Sequence, residues 1–259
     1  MVPEISIIIA AYNEEDRLPE SLKKIHGYVT ARGLESEIIV VDDGSSDATA
    51  SMTRALSDSI PGLRLISYAK NRGKGYALRA GVLSSRGKLV LLSDADLSTP
   101  IEELESLMKF IAEESFQIAI GSRALALSRV LKTQPWWRQG MGKVFNRIVR
   151  ALVIDDFSDT QCGFKLFSGD VARHLFKGAR IDRFAYDVEI LALAKKNGYR
   201  IAEVPIKWIN SPGSKVDPVK DSLQMLKDLC RIRLAIGAVK NPPHALHSTQ
   251  GQPHPRNGS

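Results

Sequence analysis

The chain has 259 residues, a formal net charge of +7 and a pI of about 9.4. Hydrophobic residues make up 44% and charged residues 25% of it, which is the balance of a folded protein and excludes wholesale disorder. The length suits one large domain and argues against a second full domain. The basic balance predicts anionic partners, such as nucleic acid, phosphates or acidic lipid, without choosing among them.

Cysteine usage and hydropathy bear on location. Cys162 and Cys230 lie far apart and outside any zinc-binding spacing, so we expect both as thiols in a reducing compartment. Residues 1–12 contain a short apolar run and no basic leader, so we expect neither a signal peptide nor an anchor there. No apolar stretch reaches the length of a spanning helix, so any contact with a membrane is expected to be peripheral or through a partner chain.

The first part of the chain alternates predicted strands and helices. β-branched runs at 5–10 and 37–41 each end in polar residues, and apolar residues at helical spacing follow. Further strands are predicted at 63–67 and 88–92, with a helix at 75–83 between them. This alternation predicts an α/β fold with a mostly parallel sheet covered by helices on both faces.

The second part of the chain continues the pattern less regularly. The predicted elements are a helix at 102–113, a strand at 116–121, a helix at 186–197, a strand at 201–208 and a helix at 219–239. Asp187 and Glu189 stand at the start of one of these helices, where acidic residues ordinarily compensate the helix dipole.

Two further segments have distinctive compositions. Residues 125–155 interleave Trp136 and Trp137 with arginines and lysines, which predicts an amphipathic segment on the acceptor or membrane side. Residues 241–259 are rich in proline, histidine and glycine and have almost no aliphatic side chains, so we predict a disordered tail. Residues 1–240 then form a single domain.

Two predicted strands end in acidic motifs. Asp94-Ala95-Asp96 places two carboxylates one residue apart, which can hold a divalent ion against a diphosphate. A bare motif of this kind also occurs in solvated turns, but its position after a buried strand favours a metal site. In Asp42-Asp43-Gly44-Ser45, Asp43 can accept hydrogen bonds from a nucleobase or ribose, while Ser46 or Asp47 caps the following helix.

A glycine-rich loop lies between these motifs. Asn71-Arg72-Gly73-Lys74-Gly75 places two glycines around a lysine directly before a helix. Backbone N–H groups and the positive end of the helix dipole suit phosphate at such a place. The spacing is not that of a P-loop, so ATP binding through this segment is disfavoured.

In this order, the three motifs and the preceding Ala11-Tyr12-Asn13-Glu14 resemble glycosyltransferase family 2 over nearly the whole of residues 4–240. Three later segments resemble the polyprenyl-phosphate sugar transferases, especially the dolichyl-phosphate β-glucosyltransferases: Gly121-Ser122-Arg123, Asp159-Thr160-Gln161-Cys162-Gly163-Phe164-Lys165 and Gly213-Ser214-Lys215. The resemblance implies a GT-A, Rossmann-like fold. It also implies inverting transfer of a sugar, foremost glucose from UDP-glucose, to polyprenyl or dolichyl phosphate.

The resemblance further implies a role for each matched residue on the donor side. The implied nucleotide-sugar-binding residues are Ala11, Tyr12, Glu14, Asp43, Lys74, Asp94 and Lys215. Among them, Lys74 would approach the donor phosphates, and Lys215 in a mobile loop would clamp the diphosphate. Asp94 and Asp96 would bind Mg²⁺ or Mn²⁺.

On the acceptor side, the resemblance implies that Arg123 and Arg138 hold the acceptor phosphate, and these two residues with Asp96 and Asp159 form the implied catalytic set. Asp159 is expected either to orient acceptor or sugar hydroxyls or to cap a following helix.

The proposed chemistry suits these residue types. A monoester phosphate has a second pKa of about 6 and is largely ionised at neutral pH, so it needs no strong base. Two arginines can hold this anionic nucleophile, while a metal ion and a lysine neutralise the departing diphosphate.

Other interpretations stay open at this stage. In one alternative, the donor is another nucleotide sugar, such as GDP-mannose. In another, the acceptor is a glycan hydroxyl. A nucleic-acid-binding domain is disfavoured, because acidic strand ends repel a phosphate backbone. The expected location is the cytoplasmic face of a membrane, with peripheral attachment, and the oligomeric state is left undetermined.

Overall fold

The computed structural model describes residues 2–132, 136–209 and 220–237. The strands are β1 Ile5–Ala11, β2 Ser36–Asp42, β3 Leu63–Ser67, β4 Leu89–Asp94, β5 Ile118–Ser122, β6 Arg129–Lys132, β7 Lys165–Ser168, β8 Ile201–Pro205 and β9 Lys207–Ile209. The helices are α1 Leu18–Ala31, α2 Thr49–Ser57, α3 Lys74–Ser84, α4 Leu104–Glu113, α5 Trp136–Leu152, α6 Gly169–Gly178, α7 Tyr186–Lys196 and α8 Lys220–Ile236. A single 3₁₀ turn, Ile101–Glu103, leads into α4.

Seven of the described strands form one sheet, in the order β3-β2-β1-β4-β7-β5-β8. Neighbouring strands run parallel except at β7, which is antiparallel to both β4 and β5. Strands β6 and β9 form a separate parallel pair. The prediction of a mostly parallel sheet is confirmed, with one reversed strand inside it.

Strand β1 shows how the sheet is buried on both faces. The side chain of Ile8 lies in a core cluster with residues of α3, α6 and α7, whereas Ile7 and Ile9 lie in a second cluster with residues of α1 and α4. All three isoleucines are fully buried. Because side chains alternate between the faces of a strand, a strand covered on both sides is a continuous apolar run.

The register brings the acidic strand ends together. Ala11 at the end of β1 pairs with Asp42 of β2, and Ala10 pairs with Asp94 of β4. The carboxyl ends of β1, β2 and β4 therefore meet at one edge of the sheet, where ligands bind in open α/β sheets.

The structure corrects the sequence prediction in the second part of the chain. The single strand predicted at 201–208 is two strands, since the chain leaves the main sheet after Pro205, which cannot donate a ladder hydrogen bond, and then pairs with β6. Strand β7 and helix α6 were not predicted. Strand β7 has only four residues and begins with the charged Lys165, so its apolar pattern is too short to detect.

The segment 125–155 contains β6 and α5. Within α5, Val149 is buried, while Met141 and Val144 are exposed. Residues 133–135, the side chains of Trp136, Trp137 and Arg138, and the predicted tail at 241–259 lie outside the described part. In the ranges that the structure describes, no helix combines the length and apolar character needed to cross a bilayer.

Candidate active site

The carboxylate of Asp94, the last residue of β4, lies against Gly163. A Cβ atom placed on Gly163 would be 2.5 Å from Asp94 Oδ1 and 2.7 Å from its Cγ, so only glycine leaves room for the carboxylate. Lys74 Nζ donates to Asp94 Oδ1 at 2.5 Å. Burial alone would raise the pKa of Asp94, but the charge and hydrogen bond of Lys74, together with the charges of Lys165 and Arg123, hold the pKa below its usual value. Asp94 is therefore ionised at neutral pH.

Lys74 opens α3 between two glycines that allow close packing. Gly73 has a φ of 106°, a backbone conformation that side chains disfavour. A Cβ on Gly75 would lie 2.8 Å from Tyr186 Cβ. Burial would lower the pKa of Lys74, but nearby carboxylates, chiefly Asp94, raise it overall. The glycines thus bring a permanently charged lysine to the end of β4.

Asp96 lies in the turn that follows β4. Its Oδ1 accepts a hydrogen bond from the backbone of Ser98 at 3.0 Å, and its Oδ2 lies 3.5 Å from Arg17 Nη1. Arg17 is held in turn by the carboxylate of Glu14, at 2.6 and 2.8 Å. Each aspartate of the pair thus has a cation beside it, Lys74 for Asp94 and Arg17 for Asp96.

This donor set fits a metal ion that arrives with a phosphate ligand. No cluster of three or more His, Cys, Asp or Glu side chains suited to a metal occurs within the residues that the structure describes. Closed structural sites use four protein ligands, whereas Mg²⁺ is commonly held by one or two carboxylates together with substrate phosphates and water. Asp94 and Asp96, with Lys74 and Arg17 beside them, fit a metal ion that is held by two carboxylates together with substrate phosphates and water.

Asp43 binds the glycine-rich loop. Its carboxylate accepts hydrogen bonds from the backbone N–H groups of Arg72 and Gly73, both at 2.8 Å, and from the hydroxyl of Tyr68 at 2.7 Å. Burial and then the hydrogen bond to Asp43 raise the pKa of Tyr68, so the phenol stays a donor. Asp43 therefore fixes the loop that carries Lys74. Its expected contact with a nucleoside stays a prediction.

The end of β1 and the loop after it bring together the other residues expected at the nucleoside. Ala11 and Glu14 are buried, while Tyr12 is 37% exposed. The backbone of Glu14 is held by Thr49 Oγ1 at 2.8 Å, and that hydroxyl and the backbone N–H of Thr49 both donate to Asp47. Asp47 therefore closes a turn directly before α2 and also fixes the loop, but the N-cap residue of α2 is Ala48, so the expected cap by Ser46 or Asp47 is wrong. The roles of Ala11, Tyr12 and Glu14 toward a nucleoside stay predictions.

Arg123, just beyond β5, makes a two-point ion pair with Asp159. The distances are 2.6 Å from Nε to Oδ2 and 2.9 Å from Nη2 to Oδ1, and the backbone N–H of Arg123 adds a third bond at 3.1 Å. Burial would lower the pKa of Arg123 and raise that of Asp159, but their mutual attraction reverses both shifts. Both groups stay charged, and the guanidinium is held in one orientation.

The loop that carries Asp159 is itself anchored. Glu203 of β8 accepts the backbone N–H groups of Ser158 and Asp159 at distances of 2.8 to 3.1 Å. Asp159 Oδ1 accepts the backbone N–H of Gln161 at 3.1 Å, and no helix follows before α6. The helix-cap alternative for Asp159 is therefore wrong.

Lys165 is a buried charge that the sequence interpretation overlooked. It is 1% exposed, and its Nζ donates to Asp187 Oδ1 and to the carbonyl of Cys162. Burial raises the pKa of Asp187, and the charge of Lys165 opposes that shift. The interpretation of Asp187 as simple compensation of the helix dipole is therefore incomplete, because its carboxylate has a buried partner.

A family model described as glycosyl transferase family 2 matches residues 6–176. The chain belongs to glycosyl transferase family 2. The dolichyl-phosphate beta-glucosyltransferase of Dictyostelium discoideum is 39% identical to this transferase over 240 residues, which are 88% of this chain and 73% of the relative. The enzyme of that name from Homo sapiens is 37% identical over 246 residues, with 89% and 75% covered.

Solved structures show the same fold as this transferase. Glucosyl-3-phosphoglycerate synthase from Mycobacterium tuberculosis, in complex with Mn²⁺ and UDP-glucose, superposes with a TM-score of 0.66 at 17% identity, covering 91% of this chain and 80% of that one. A mannosyltransferase from Pyrobaculum calidifontis, in complex with GDP-mannose and Mn²⁺, gives 0.64 at 21% identity, with 94% and 67% covered. The expected GT-A fold is confirmed.

Two residues of the predicted site lie beyond what the structure describes. They are the side chain of Arg138 and the whole of Lys215, so their expected contacts with the acceptor phosphate and the donor diphosphate stay predictions. The structure adds Arg17 and Lys165 of the transferase to the neighbourhood of the acidic pair. The available signal for Lys165 was a lysine within the apolar run Phe164–Phe167.

Proposed function

We propose that this transferase moves glucose from UDP-glucose to dolichyl or polyprenyl phosphate, with inversion to a β-linked lipid phosphosugar. The observation that carries the proposal is the pair Asp94 and Asp96, each beside a cation, at the carboxyl edge of the sheet. The choice of substrates is supported by relatives at 33–39% identity that are named dolichyl-phosphate beta-glucosyltransferase.

Asp94 and Asp96 are the residues that would hold a divalent cation, Mg²⁺ or Mn²⁺. Such an ion, when bound, offsets the negative charge that develops on the departing diphosphate. Lys74 contributes a second positive charge at the same place, because its Nζ already lies against Asp94. Preorganised charges of this kind stabilise a transition state without reorganising during the reaction.

Arg123 is the described residue best suited to the acceptor phosphate. Its guanidinium is oriented by Asp159, and a planar guanidinium pairs well with phosphate oxygens. The acceptor oxygen is ionised at neutral pH, so the residues need only place it in line with the bond to the leaving group. Arg138 and Lys215 keep their expected roles beside the acceptor and the diphosphate.

A lipid acceptor requires a surface that meets a membrane, and we assign this role to β6 and α5. Val130, Leu131, Met141 and Val144 are exposed apolar side chains of these elements. The surrounding segment is rich in arginine and lysine, and each basic residue near an anionic membrane contributes about 1 kcal/mol of attraction. Peripheral attachment at the cytoplasmic face follows as part of the proposal.

The direct test offers radiolabelled UDP-glucose, other UDP-sugars and GDP-mannose in turn, with dolichyl phosphate and Mn²⁺, followed by lipid extraction. Label from UDP-glucose should enter the organic phase only when dolichyl phosphate is present. Label from GDP-mannose alone would move the assignment to the alternative donor. Label that appears without the lipid acceptor would refute the proposed acceptor.

A further inference from the structure

A buried ion pair adjoins the peptide that supports Asp94. Lys165 and Asp187 are 1% and 5% exposed, and Lys165 Nζ bonds both the carboxylate of Asp187 and the carbonyl of Cys162. The next residue after Cys162 is Gly163, against which the Asp94 carboxylate lies. Lys165 therefore connects the Cys162–Gly163 peptide, against which Asp94 lies, to Asp187 of helix α7.

The strand register explains why these groups meet. Leu92 of β4 pairs with Lys165 of the antiparallel β7. Two residues after Leu92 in β4 and two residues before Lys165, the same antiparallel register places Asp94 opposite Gly163. A shift of the Cys162 peptide would therefore move the surface on which the Asp94 carboxylate rests.

Stability alone does not account for such a pair. Taking two charges out of water is costly, and replacing a buried ion pair by apolar residues is often neutral or stabilising. A lysine and an aspartate buried beside a substrate-binding edge are therefore better explained by what they do for the neighbouring ligands.

We propose that Lys165 and Asp187 are a positioning pair that holds the Cys162–Gly163 peptide, and with it the Asp94 carboxylate, where Asp94 would bind a metal ion. The inference rests on the proposed metal site at Asp94 and Asp96. Neither residue of the pair touches the reacting atoms. Their effect passes through the Cys162–Gly163 peptide.

The test compares Mn²⁺ binding by the full chain in the presence of UDP, measured by calorimetry, for the wild type and two variants. The double variant Lys165→Gln/Asp187→Asn removes both charges and keeps polar groups at both positions. The matched control is Glu189→Gln on the same helix, since Glu189 is 6% exposed and accepts only the backbone N–H groups of Arg180 and Ile181 among its described hydrogen bonds.

The double variant should melt cooperatively and bind Mn²⁺ about 10- to 100-fold more weakly than the wild type, as is typical when residues behind a metal ligand are changed. Its kcat should fall while the KM for dolichyl phosphate is unchanged, and the control should bind Mn²⁺ like the wild type. Equal Mn²⁺ affinity of double variant and wild type overturns the inference and leaves the metal site standing. A double variant that does not fold also overturns it, because the pair would then serve the fold. A wild type that binds no Mn²⁺ overturns the metal site itself.

Discussion

Replacing Gly163 by alanine should displace the Asp94 carboxylate. The new Cβ would lie 2.5 Å from Asp94 Oδ1, whereas ordinary contact begins at 3.4 Å, so the carboxylate must retreat by about 0.9 Å. The backbone conformation of Gly163 is not in the left-handed region, so alanine is acceptable to the main chain itself. The perturbation is therefore confined to the position of Asp94 and its partner Lys74.

The expected loss of activity follows from this displacement. Misplacement by about 1 Å near reacting groups can lower a rate roughly 100-fold. Overpacking should also lower the free energy of unfolding by about 1–3 kcal/mol. We expect Gly163→Ala to stay folded and to transfer glucose to dolichyl phosphate roughly 100-fold more slowly than the wild type.

The assay measures kcat by lipid labelling and stability by thermal denaturation on the same preparation. The matched control is Gly27→Ala in α1, where a Cβ meets no atom within 4 Å. This control should keep full activity, because alanine adds only helix propensity there. Wild-type kcat in the folded Gly163→Ala variant would refute the placement of Asp94 at the catalytic edge.

Three further outcomes are expected. A thiol reagent should modify the exposed Cys230 rapidly in the native protein and the buried Cys162 only after denaturation. Burial also raises the pKa of Cys162 to about 11, which keeps its thiol protonated. Rapid modification of both thiols in the native protein would contradict this. Burial would raise the pKa of Asp159, but Arg123 lowers it overall. The ion pair therefore stabilises the folded state fully at pH values above the unfolded pKa of about 3.9. This stabilisation is lost as the pH falls through the lower pKa of the folded state. Asp159→Asn should therefore flatten the loss of stability in acid, measured by urea denaturation against pH, and an unchanged pH slope would count against the pair. In liposome flotation, the wild type should rise with acidic vesicles at low salt and a folded Val144→Glu variant should rise less; equal flotation would remove α5 from the proposed membrane surface.

The sequence predicted the N-terminal strands well because they are buried on both faces. The runs that became β1, β2 and β4 are rich in isoleucine, valine and leucine, so their apolar pattern can be recognised without knowledge of their neighbours. Strand β7 was not predicted because it is short and begins with a lysine, whose partners Asp187 and the carbonyl of Cys162 are known only from the fold. The break after Pro205 depends on a partner strand, β6, which sequence periodicity does not reveal.

The candidate site divides in a similar way. Asp94, Asp96 and Lys74 follow strand ends or glycines, which are local signals that the sequence contains. The pairing of Arg17 with Asp96 and that of Lys165 with Asp187 join residues that are distant in the chain. Such pairings are decided by tertiary packing. For the same reason, the ion pair between Arg123 and Asp159 could not be predicted from the sequence motifs that contain these residues.

The measurement that tests the central claim most directly is the initial rate of glucosyl transfer from UDP-glucose to dolichyl phosphate as a function of Mn²⁺ concentration. The rate of the wild type should rise with Mn²⁺ to saturation and vanish with EDTA. Folded Asp94→Asn and Asp96→Asn variants should stay near background at every concentration, since each lacks one of the two carboxylates that would hold the ion. Full activity in chelator, or wild-type rates in either variant, would contradict a metal-dependent transfer at this pair.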